Sequence, residues 1–157
     1  MIRIGRPGNG RYAVSKRADR FRLEFRAVKR ASTHLMFTGD ASAALELYAA
    51  TFPQFTVTSM QRYGPGEPGT EGSVKLAEAS LGGHSLVVID SPVRHAFTFT
   101  PSTSLFVHCE SAAELDAAFA ALSAGGQIFM AIDNYGFSRR FGWCADRFGV
   151  SWQLNLE

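Results

Sequence analysis

The chain has little of what most metal and redox sites are built from. Its 157 residues hold two cysteines, Cys109 and Cys144. That is too few for a disulfide framework, and neither has a Cys-x-x-Cys partner. Both read as small buried apolar residues, with Cys144 the one candidate for a reactive thiol. No stretch approaches the roughly 20 consecutive apolar residues that span a bilayer, so no membrane partner is expected. The first residues lack the apolar core of a secretory signal, which points to a cytoplasmic location. There is no Walker-type phosphate loop and no Gly-x-Ser-x-Gly nucleophile elbow.

What is present is ordinary for one folded domain: 46% apolar and 19% charged residues in a length that can bury a real core. The net charge of +2 conceals an asymmetry. Residues 1–30 hold ten lysines and arginines against two acids, and the remainder holds six against twelve, +8 beside −6. A basic arm can bind nucleic acid, a membrane or an acidic subunit face. Here Gly5, Pro7, Gly8 and Gly10 favour a poorly ordered extension over residues 1–31, and nucleic acid is not the expected partner. Residues 21–27 alternate apolar with charged and could add an edge strand, although Phe21, Phe25 and Val28 also fit a helix.

From residue 32 the pattern is regular. A strand is expected over 33–38, and then a helix over 41–52 with Asp40 as its N-cap and Ala44, Leu45, Tyr48 and Phe52 on one stripe. Strands follow over 56–63, 73–81 and 84–89, with a mobile Gly/Pro loop at 64–69. Residues 91–102 carry two prolines and little periodicity, and mark a junction. The order then restarts. A strand is expected over 104–109, and a capping box, Ser111 with Glu114, opens a helix over 112–123. Strands over 127–132, 139–144 and 150–156 complete it, with Asp146 to Gly149 as turn residues. An offset of 70 lays Leu45 on Leu115 and Phe52 on Leu122. The chain therefore reads as β-α-β-β-β twice, an α+β pair of modules at about 32–90 and 102–157.

The stretch His34-Leu-Met-Phe-Thr-Gly-x-Ala-x-x-Ala-Leu-x-x-Tyr48 with Phe52-Pro53, the segment Arg62-Tyr-Gly-Pro-Gly-Glu-Pro-Gly69 and the closing Phe141-Gly-Trp-Cys-Ala-Asp-Arg-Phe-Gly-Val-Ser-Trp-Gln153 together resemble PhnB-like proteins. That family lies in the vicinal oxygen chelate superfamily, with glyoxalase I, bleomycin-resistance proteins and extradiol dioxygenases. Some members carry the label 3-demethylubiquinone-9 3-methyltransferase. The resemblance implies paired βαβββ modules, each a curved sheet around a cleft, and a homodimer. In the superfamily's metal enzymes the ligands come from strands one and four of each module. By resemblance those positions here are His34, Val87, Ser104 and Gln153. A divalent metal takes His, Asp, Glu or Cys donors at about 2.0–2.3 Å. Only His34 qualifies, so no metal or other cofactor is expected.

Strand parity says what a cleft would present instead. His34 and Met36 share a face with Thr38. Ser85 and Val87 do likewise, as do Ser104, Phe106 and His108, and then Ser151 and Gln153. Such a mixed wall suits a small organic molecule, the partner expected. The alternative is an enzyme using His34 with a rearranged metal site, or His34 or His108 as general base. Arg139 and Arg140 beside Tyr135 read as a solvated strand end or an anion clamp. Trp143 is expected against the second helix or a dimer partner, and Trp152 in the core.

Overall fold

The computed structural model describes residues 28–157, and one compact unit runs from Ser32 to Glu157. The expected extension and the edge strand at 21–27 lie outside the described residues, apart from residues 28–31.

Two sheets repeat one topology. The first is built from β1 (Thr33–Phe37), β2 (Phe55–Arg62), β3 (Val74–Leu81) and β4 (His84–Asp90), with α1 (Ala41–Thr51) crossing from β1 to β2. Its strand order is β1-β4-β3-β2. The second holds β5 (Ser104–His108), α2 (Ala112–Ser123), β6 (Gln127–Asp133), β7 (Arg140–Ala145) and β8 (Ser151–Leu156), in the order β5-β8-β7-β6. In each sheet the first and fourth strands run parallel, and the rest pair antiparallel. The βαβββ pair read from the sequence is therefore the fold, α+β with two separate four-stranded mixed sheets.

Alternation decides which side is core. Leu35, Phe37, Leu86 and Val88 are buried towards the helices in the first sheet, as are Leu105, Trp152 and Leu154 in the second. The offset of 70 survives in three dimensions: Leu45 and Leu115, and Phe52 and Leu122, are all buried. It also marks where the halves differ. Tyr48 corresponds to Ala118, and only the tyrosine reaches across to the other module. Its hydroxyl donates to Asp146 Oδ2 at 2.7 Å, and Trp152 Nε1 donates to the same oxygen at 2.9 Å. The Trp152 ring packs on Tyr48 at 4.9 Å and on Phe52 at 5.5 Å between centroids.

Four readings need correction. Asp146 was expected as turn chemistry. It does hold the turn, since its Oδ1 accepts from the backbone N–H groups of Phe148 and Val150 at 2.9 and 3.1 Å. Its other oxygen ties the modules together, and the residue is buried. Asp40 occupies the N-cap position of α1 without capping it. Asp90 Oδ1, from the end of β4, takes Gly39 N–H at 2.7 Å and Ala41 N–H at 3.0 Å, while its Oδ2 takes Val74 N–H at 2.9 Å. A buried carboxylate held by three amides displaces the local cap because it satisfies more orphan donors. The loop over 64–69 is pinned rather than loose. Glu67 accepts from Gly64 N–H and pairs with Lys75, and Arg62 donates to the Gly72 carbonyl. Its glycines have Gly-x-Gly-x-x-Gly spacing, but they join two antiparallel strands instead of opening a helix. Finally, Glu114 completes the α2 cap by accepting from Glu110 N–H while Ser111 accepts from Glu114 N–H, one residue wider than a strict capping box.

Removing the clamp should be costly, because all four partners of Asp146 are donors. An asparagine must turn its NH2 towards two of them. We expect Asp146→Asn to cost about 2–3 kcal/mol and Tyr48→Phe about 1–2 kcal/mol in urea unfolding. Loss below about 0.5 kcal/mol for Asp146→Asn would remove the clamp from the account.

Alkaline pH should act on the same region. Burial pushes the Cys109 thiol up to about 11 and the Cys144 thiol up to about 12, and Glu114 and Asp146 respectively add to the shift. Burial, then Asp146, raises the Tyr48 phenol far above its ordinary value. The folded chain keeps these protons where the unfolded chain sheds them. The stability involved is therefore full below about pH 8.5 and is lost as pH rises through about 9 to 12. Urea midpoints at about pH 8 and pH 10.5 measure it, with a smaller drop expected in Tyr48→Phe. Both thiols should resist iodoacetamide in the native chain at pH about 8 and react once unfolded.

Candidate functional site

The faces turned away from the helices are open. On the first sheet this face carries His34 and Met36 of β1, with Ser85 and Val87 of β4; His34 and Val87 are register partners. On the second it carries Ser104, Phe106 and His108 of β5, with Ser151 and Gln153 of β8. Phe106, at the middle of the edge strand β5, is 49% exposed. His108 is also exposed and lies 3.6 Å from the Glu157 carboxylate. Ser151 is buried.

The polar groups of the second face bond to one another. Ser104 and Ser151 hydroxyls are 2.7 Å apart, Gln153 Nε2 donates to Ser104 Oγ at 3.1 Å, and Trp143 Nε1 donates to Ser151 Oγ at 2.9 Å. Trp143 thus belongs to this face, its ring 5.0 Å from Phe129, and not against α2. Register explains the placement: Trp143 pairs with Gln153, so both side chains project to the same side. The arginines at the strand end form no anion clamp. Arg140 Nε donates to Asp116 of α2 at 2.7 Å, and Arg139 donates to the Glu157 carbonyl at 3.2 Å.

Two cavities flank His34. One, about 470 Å³, runs from His34, Met36 and Thr38 to Arg94, His95, Phe97, Phe99 and Phe148. The other, about 290 Å³, joins His34 to Ser104 and Ser151 by way of Thr98 and Phe99. Together they bring His34, Met36, Ser104 and Ser151 to one seam between β1 and β5. A third cavity of about 490 Å³, near Thr33 and His84, takes Ser104, Phe106 and His108. Ser85, Val87 and Gln153 line none of these three. The sequence reading missed the segment over 91–99, which walls both seam cavities. Its signal was visible in Arg94, His95, Phe97 and Phe99, basic and aromatic residues interleaved in a stretch taken only as a junction.

The superfamily's catalytic metal does not fit these residues. Val87 has no donor atom, and Ser104 and Gln153, neutral and poor ligands, are bonded to each other. Among the described residues no three His, Cys, Asp or Glu side chains gather to hold an ion. S-adenosylmethionine, which the methyltransferase label implies, fits no better. At the β1–α1 turn the amides of Gly39 and of Ala41, the first residue of α1, are taken by Asp90, and each sheet is mixed rather than doubly wound.

Residues 29–155 match the family model described as 3-demethylubiquinone-9 3-methyltransferase. Among solved structures the chain is similar to the PhnB protein of Bacillus cereus, whose description carries that methyltransferase name. The two are 44% identical with a TM-score of 0.79, over 82% of this chain and 100% of that one. Protein PA1353 from Pseudomonas aeruginosa is 26% identical with a TM-score of 0.73, over 83% and 98% of the two chains. A glyoxalase/bleomycin resistance protein from Albidiferax ferrireducens, 13% identical with a TM-score of 0.53 over 80% and 98%, shares the fold. No curated protein matches the chain. With a family model spanning both modules and a relative this similar along its whole length, the chain belongs to the PhnB-like, 3-demethylubiquinone-9 3-methyltransferase family.

Proposed function

We propose that this chain binds a small organic molecule at the seam between its modules, without a catalytic metal, and that a second copy covers the open sheet faces. The observation that carries the reading is the pair of cavities meeting at His34, apolar on Met36, Phe97 and Phe99 and polar on Ser104 and Ser151. Their sizes suit a compact ligand. Self-satisfied polar groups on the second face favour binding over hydrolysis, because the Ser104 and Ser151 hydroxyls bond to each other, to Gln153 and to Trp143, and not to a histidine. The homodimer is supported by the apolar side chains left on the open side. Phe106 is one, and Leu76, 37% exposed and alternating with buried Ala77, is another.

Native mass spectrometry of the gently purified protein, with elemental analysis, tests all three parts. We expect twice the 17.1 kDa chain mass, no stoichiometric metal and an organic adduct that is lost on denaturation. Stoichiometric metal would overturn the metal-free reading, and a monomer would overturn the covering by a second copy. His34→Ala should weaken recovery of the adduct about tenfold. A variant that retains it fully removes His34 from the site.

A further inference from the structure

The geometry points to an anionic group on the ligand, a carboxylate, sulfonate or phosph(on)ate attached to a flat aromatic body, seated in the cavity between β1 and residues 94–99. This inference rests on the binding reading above and names the ligand class. Its first support is Arg94. Arg62, Arg139 and Arg140 each hold a hydrogen bond or ion pair within the chain, and the Arg147 guanidinium lies 4.8 Å over the Phe148 ring. Arg30 also has a partner. Among the described arginines only Arg94 has none, and it lines a cavity. A guanidinium there offers a planar fork of donors suited to two oxygens of one anion.

The second support is what surrounds it. His34 faces the same space from β1, and His95 faces it from the junction. His95 Nε2 is held by Ser91 Oγ at 3.0 Å, and its ring stacks on Phe97 at 4.8 Å and 21°. That fixes the imidazole as a rigid wall and leaves Nδ1 as its other polar atom. Phe37 packs on Phe99 at 5.0 Å and on Phe148 at 6.3 Å, so the floor is an aromatic cluster continuous with the core. Flat rings packed against such a floor gain area and edge-to-face contact. One acid opposes the proposal: Asp40 lines the same cavity, and its carboxylate caps no amide. Asp90, close by in sequence to the junction, is committed to three backbone amides. The site therefore sets one arginine fork, with two imidazoles as further hydrogen-bonding groups, beside one carboxylate.

Two probes with the same ring system isolate the charge. 8-Anilino-1-naphthalenesulfonate carries the anion, and N-phenyl-1-naphthylamine is the same molecule without it. Fluorescence titration of the full chain at low salt should show the sulfonate binding at least about tenfold tighter than the neutral amine. Arg94→Gln should weaken the sulfonate about tenfold and the neutral probe less than about twofold. Asp40→Asn should tighten the sulfonate and leave the neutral probe unchanged. Both variants replace exposed side chains, and circular dichroism confirms that they fold. Equal affinity for the two probes, or an Arg94→Gln protein that binds the sulfonate as before, overturns the anion assignment alone. Failure of the wild-type chain to bind either probe overturns the binding reading beneath it as well.

Discussion

One buried carboxylate holds the two modules in register. Asp146 accepts the Tyr48 phenol from α1, the Trp152 indole from β8 and two amides of its own turn. Apolar packing between the helix stripes is not directional and by itself sets no single angle between the modules. A fixed oxygen with four donors is directional, and it converts a greasy contact into a defined angle. The seam on the other side inherits that angle. If the modules rotated, His34 and Ser104 would no longer wall one cavity.

Much of this was legible in the sequence, and for a specific reason. Strand alternation and helix stripes are enforced locally by burial, so Leu35, Phe37, Leu45, Leu115 and Trp152 announced the core face directly. The repeat was legible because both halves obey the same rule. Asp146 and Asp90 were not, because their partners lie far along the chain: Tyr48 is 98 residues from Asp146, and Gly39 is 51 from Asp90. An aspartate that opens Asp146-Arg147-Phe148-Gly149 looks like turn chemistry whatever it reaches in space. For a related reason Trp143 was legible only as a choice between the second helix and a dimer partner. Its face is set by its pairing with Gln153, and a one-residue uncertainty in that strand turns the ring over.

The site was legible in part. Parity put His34, Met36, Ser104 and Ser151 on the open side, and geometry then gathered these four at the seam and left Ser85, Val87 and Gln153 away from the cavities. What sequence reasoning lacked was a rule for irregular chain. Residues 91–99 form no helix or strand, so neither periodicity applied, yet they supply Arg94, His95, Phe97 and Phe99. Junctions between repeated modules are free of the repeat's constraints, which makes them a natural place for a family member to differ from its relatives.

The bonded quartet of Ser104, Ser151, Gln153 and Trp143 bears on how such a scaffold can change its chemistry. Introducing a metal ligand at Ser104 would break the bond to Ser151 and leave Gln153 without its acceptor. A donor at Gln153 would meet a serine already engaged with Ser151. Each first step towards a metal centre loses hydrogen bonds before any ion can replace them. A metal centre at these positions therefore calls for several simultaneous substitutions, because each member of the quartet holds another in place.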